Sequence, residues 1–88
     1  MAATSPAEIE HGVIDVLKHV SRRPIEPTHQ SDLAADLGFD SLQILEVVAE
    51  LEDRFDISIP LNDIPAAHTV GQVVAQVTAL IHRTATTA

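Results

Sequence analysis

Asp36-Leu37-Gly38-Phe39-Asp40-Ser41-Leu42 is the stretch whose reading decides this chain. Gly38 lets the backbone turn tightly and approach another surface closely. Asp40 is a good helix N-cap, and Gln43 stands three residues on to answer it in a capping box. A helix therefore opens at Asp40 or Ser41. At that end the unpaired backbone N–H groups and the positive end of the helix dipole favour an anion. A modifying enzyme must reach the hydroxyl, so Ser41 belongs outside the core. Capping is the plainer role for an isolated Asp-Ser-Leu, but the longer stretch, opening an acidic helix, points to a serine presented for modification.

Working outward, Ile44, Val47, Val48, Leu51 and Phe55 fall on one side of this helix. Leu42, Glu46, Ala49 and Asp53 fall on the other, with Glu50 beside them. Leu42 is a large apolar side chain on an acidic face, next to Ser41, which favours contact with a partner. Ile57-Ser58-Ile59-Pro60 reads as an extended link. In 61–67, Pro65 pushes Ile64 away from helical angles, so only one loose turn is expected.

Upstream, Ser5-Pro6-Ala7-Glu8 carries a capping box with Pro at the first helical position. Ile9, Val13, Val16, Leu17 and Val20 recur at helical spacing, and Arg22-Arg23-Pro24 ends that helix. The long connection over 24–40 needs pins, and Ile25, Leu33 and Leu37 supply them. Within it, 31–36 adds a short helical turn. The last helix starts at Thr69 with Gln72 as its partner, and Val70, Val73, Val74, Val77, Leu80 and Ile81 form its stripe. The chain is thus read as one all-α domain over 5–83 with a frayed tail at 84–88.

Composition narrows the function. Eighty-eight residues make one small domain, and nine Val, eight Ile and eight Leu give it core material. Zero Cys removes disulfides, thiolate catalysis and cysteine zinc sites. Neither a signal peptide nor a membrane span is readable. Residues 32–63 hold nine acids and one base, Arg54, so the whole net charge of −8 sits in the segment containing Ser41. Such a field attracts basic protein surfaces and repels nucleic acid, and there is no Tyr or Trp for bases to stack on.

Catalytic and metal readings fail on spacing. A nucleophile elbow needs small residues on both sides of its serine, and Phe39 and Gln43 stand there instead. His11, His19, His29, His68 and His82 are nowhere at i, i+3 or i+4 of one another and read as surface residues. Asp32, Asp36 and Asp40 lack the alternation, Gly and closing Glu of a calcium loop. No catalytic residue and no metal is assigned.

The same residues resemble the acyl carrier protein family, whose attachment motif reads Asp-Leu-Gly-x-Asp-Ser-Leu. The likeness extends to Phe55-Asp56-Ile57-Ser58-Ile59-Pro60 and to the helix from Thr69-Val70, and is specific over 36–60. It implies a four-helix bundle: three main antiparallel helices and a short, Pro-interrupted third. It implies 4′-phosphopantetheine on Ser41, beside Asp40, delivered from coenzyme A by a phosphopantetheinyl transferase. It implies a carrier rather than an enzyme, holding an acyl group as a thioester for fatty acid, lipid or polyketide-type synthesis. Such a chain is expected to be cytoplasmic and monomeric. Its partners, the acyl-loading and acyl-using enzymes, would bring basic docking patches to Leu42, Glu46, Ala49, Glu50 and Asp53. The family also tucks acyl chains between its helices, which places Val48, Leu51, Ile64, Ala67, Val70 and Val74 as lining.

Three departures suggest a specialised carrier. Gln43 stands where fatty-acid-synthesis members usually carry Asp, Ala49 where Met is common, and 61–67 is apolar where the family is often acidic. Two alternatives stay open from sequence. One is an aminoacyl or peptidyl carrier of the same chemistry; the other is an unmodified acidic helical adaptor.

Overall fold

The computed structural model describes residues 5–60 and 68–86. Among the described residues there are three helices and no strand: α1 (Pro6–Val20), α2 (Ser41–Phe55) and α3 (Val70–Thr86). The all-α reading holds. The short helix expected at 61–67 lies outside the described residues. Helix α3 runs to Thr86, three residues past the domain end read from the sequence at 83.

Each helix starts where its cap was expected. Ser5 Oγ accepts from Glu8 N at 3.2 Å, and Glu8 Oε1 accepts from Ser5 N at 2.9 Å. Pro6 occupies the first turn, where a missing N–H costs nothing. Thr69 Oγ1 accepts from Gln72 N at 3.2 Å, and Gln72 Oε1 accepts from Thr69 N at 3.0 Å. Helix α1 ends with Lys18 and His19 near its negative end, and Ser21 turns the backbone to extended angles ahead of Pro24.

Helix α1 packs on both others and supplies the centre of the core through Ile9, Val13, Val16 and Leu17. Val47 and Leu51 of α2 and Val70, Val73, Val77 and Leu80 of α3 close on them. Fully burying one such side chain is worth about 1.5–3 kcal/mol. Helices α1 and α2 run antiparallel, since His19 meets Glu50 while Asp15, one turn back, meets Arg54 one turn on. Gly12 makes their close approach possible: a Cβ there would stand 2.6 Å from the Phe55 ring.

The connection between α1 and α2 is pinned more thoroughly than its sequence suggests. Leu33 and Leu37 are buried as expected, and Ile25 is half-buried. Phe39 is buried with them. Backbone bonds tie the loop to the start of α3: Leu33 N donates to His68 O at 2.9 Å, Val70 N to Ser31 O at 3.0 Å and Gly71 N to His29 O at 2.8 Å. The opening N–H groups of α3 are thereby satisfied by loop carbonyls rather than water. This pairing is long-range and carries no local sequence signal.

Candidate functional site

The loop that presents Ser41 is built from reciprocal Asp contacts. Asp32 Oδ1 accepts from Ala34 N and Ala35 N at 3.0 and 2.8 Å, while Asp36 Oδ2 accepts from Asp32 N at 2.7 Å. Asp36 N and Gly38 N then donate to the carbonyls of Asp32 and Ala34, completing the helical turn expected at 31–36. Gly38 leaves that turn at φ 75°, the left-handed region that favours glycine. Phe39 N donates to Leu33 O at 2.9 Å, and its buried ring anchors the segment immediately before α2.

Asp40 caps α2 as read from the sequence. Its Oδ1 accepts from Gln43 N at 2.8 Å, and Gln43 Oε1 accepts from Asp40 N at 3.2 Å. Folding back this way buries Gln43 to 7% exposure, which the helical wheel alone does not show. Ser41 is exposed as the first residue of the helix. The box answers the third N–H of α2 and leaves those of Ser41 and Leu42 without an intrahelical acceptor. A phosphodiester on Ser41 Oγ would fit this setting, where two N–H groups without an intrahelical acceptor and the positive end of the dipole would favour its charge.

Beyond Ser41 the outer face of α2 carries Leu42, Leu45, Glu46, Ala49 and Asp53, all exposed. Leu42 is 58% exposed and Leu45 50%, the two large apolar side chains that stand out from the core among the described residues. Leu45 belongs to neither row of the wheel, yet it lies three residues after Leu42 and four before Ala49, so all three are surface neighbours. That spacing was the available signal. Glu50 differs from its neighbours, because His19 Nδ1 sits 2.9 Å from both its carboxylate oxygens. Arg54, the base within the acidic segment, reaches Asp15 at 3.3 Å. The α1 edge of the face is therefore committed to interhelical pairs, and the opposite edge is acidic and apolar.

A small apolar cavity of about 30 Å³ lies beneath α2 and α3, lined by Leu33, Ile44, Val47, Val48, Leu51, Ile59, Val73, Gln76 and Val77. Of the residues assigned to acyl lining, Val48 and Leu51 meet there. Val70 is fully buried in the core and Val74 packs half-buried against it, while Ile64 and Ala67 lie outside the described residues. The volume is about that of one water in the liquid, ~30 Å³. The cavity is too small for an acyl chain in this conformation. All five histidines are exposed. Among the described residues no helix is long and apolar enough to cross a membrane.

Comparison with known proteins places these features in company. Residues 11–77 match the family model described as a phosphopantetheine attachment site. The chain is 44% identical over 69 residues to an acyl carrier protein from Amoebophilus asiaticus, covering 77% of this chain and 86% of that one. It is 36% identical over 78 residues to a meromycolate extension acyl carrier protein from Mycolicibacterium smegmatis, covering 88% of this chain and 78% of that one. The solved structure of a proposed acyl carrier protein from Mycobacterium tuberculosis superposes with a TM-score of 0.76 at 35% identity, over 81% of this chain and 96% of that one.

Proposed function

The chain belongs to the acyl carrier protein family, whose prosthetic group is 4′-phosphopantetheine, and on that premise we propose that Ser41 carries the arm. The observation that supports this is local. Ser41 is the exposed first residue of α2, and the Asp40–Gln43 box next to it leaves two N–H groups free for a phosphate. In loading, Ser41 Oγ would attack the pantetheine-side phosphorus of coenzyme A, its proton passing to a base of the transferase; a P–O bond to Ser41 would form as the pyrophosphate P–O bond breaks and adenosine 3′,5′-bisphosphate leaves. When bound, the group supplies a terminal thiol that holds an acyl group as a thioester. The protein itself supplies address and shelter, so it acts as a protein-bound substrate for other enzymes rather than as a catalyst.

The partner surface follows from the exposed face of α2. Basic patches on the transferase and on acyl-loading and acyl-using enzymes would meet Glu46 and Asp53, and an apolar socket would receive Leu42 and Leu45. Glu50 contributes less than its neighbours because His19 holds it. The four-helix arrangement with its short third helix, antiparallel packing of the main helices, monomeric state and cytoplasmic residence belong to this same reading. The likeness to meromycolate extension carriers, with Gln43 where fatty-acid-synthesis members usually carry Asp and Ala49 where Met is common, favours a specialised lipid pathway. Intact-mass measurement after incubation with coenzyme A and a transferase tests the proposal. Wild-type chain should gain one phosphopantetheinyl group and Ser41→Ala none.

A further inference from the structure

The bases near the candidate site are not equivalent. Arg54 is engaged with Asp15 and His19 with Glu50. Arg23 has no carboxylate within salt-bridge distance among the described residues. Its guanidinium lies instead across the attachment loop: Nη2 stands 2.7 Å and Cζ 3.6 Å from where a Gly38 Cβ would be. The backbone beneath it is fixed, since Ser21 Oγ donates to Arg23 O at 2.6 Å and accepts from Arg23 N at 3.3 Å. Of the loop acids, Asp36 is bonded to the N–H of Asp32 and Asp40 to that of Gln43, while Glu26 lines the same surface depression as Arg23 without an ion pair to it. An uncommitted cation thus lies beside Gly38, whose Cα is at most about 11 Å from that of Ser41, three residues on, even were the chain fully extended.

We propose that Arg23 is a positioning residue for the phosphodiester carried on Ser41. The inference rests on Ser41 being the attachment point. A phosphodiester adds a negative charge to a segment of nine acids and one base, all of it unfavourable unless a donor meets it. The free N–H groups of Ser41 and Leu42 meet it from the helix side. Arg23, on a long stem anchored at its root, meets it from the loop side with a planar fork suited to two phosphate oxygens. Held between them, the root of the arm is oriented along the loop rather than swinging freely in the acidic field. Gly38 is glycine on this account for two reasons: its backbone angle, and the clearance the guanidinium needs to lie over it.

The test uses the loaded protein, prepared from wild type, Arg23→Gln, Arg23→Lys and Arg22→Gln, each confirmed by mass. Phosphorus NMR reads the single phosphodiester. Arg23→Gln should displace its resonance and sharpen it toward that of a mobile group, Arg23→Lys should do so partly, and Arg22→Gln should leave it in place. In wild type, loading should shift the Arg23 Nε–H signal more than that of Arg22, a readout that needs no variant to fold. Equal phosphorus spectra for wild type and Arg23→Gln, or an Arg23 Nε–H signal unmoved by loading, would overturn the inference. Failure of wild type to gain mass would instead strike the assignment of Ser41.

Discussion

At the scale of single residues, the outer face of α2 divides into side chains that are free and side chains that are spoken for. Leu42 and Leu45 are free, so truncating either to Ala should leave unfolding unchanged within about 0.5 kcal/mol. Each truncation should speed dissociation from a partner, by about 1–2 kcal/mol of binding if the side chain becomes fully buried there. Stopped-flow association and dissociation with a native partner separates the two. Glu46→Lys and Asp53→Lys should slow association by about tenfold and flatten its salt dependence, whereas Glu50→Gln should change it far less. Equal effects at all three acids would mean that His19 does not withdraw Glu50. The sequence made Ser41, Asp40 and Leu42 legible because each sits at a position that local rules single out. It hid Leu45 and the pairing of Glu50, because exposure and partnership depend on what α1 brings alongside.

At the scale of elements, all three capping boxes were legible, since a cap is a contact between residues three apart. What stayed hidden is non-local. Phe39 and Gln43 are buried, the latter folded back onto Asp40, and residues 29–33 pair with 68–71 across half the chain. The start of α2 should be the sensitive element. Asp40→Ala removes an N-cap and should cost about 1 kcal/mol. Gly38→Ala must hold an alanine at positive φ beneath the Arg23 guanidinium and should cost about as much. Gly12→Ala drives a Cβ into the Phe55 ring; overpacking of about 1–3 kcal/mol outweighs the roughly 1 kcal/mol gained in helix propensity. Urea unfolding of the three variants checks these signs, and a stabilised Gly12→Ala would show that the α1–α2 contact is looser than its geometry.

At the scale of the molecule, the charge is as uneven as the sequence indicates. Nine acids in residues 32–63 repel one another; His19 hydrogen-bonds one of them, Glu50, while Arg54 reaches Asp15, which lies outside that segment. These pairs are exposed, so each is worth at most about 1 kcal/mol. Added salt should therefore raise the thermal midpoint, by roughly 4–8 °C for each 1 kcal/mol of repulsion screened. A midpoint flat from low to high ionic strength would show that the repulsion is already relieved. The same field favours basic partners, while the cavity beneath α2 measures only about 30 Å³. The carrier role turns on Ser41. Intact mass is read before and after incubation with coenzyme A and a phosphopantetheinyl transferase, on wild type and on Ser41→Ala matched for fold by circular dichroism. Every wild-type chain should gain one phosphopantetheinyl group and a folded Ser41→Ala none. A wild-type chain left unmodified, or a Ser41→Ala chain that still takes the group, would contradict it.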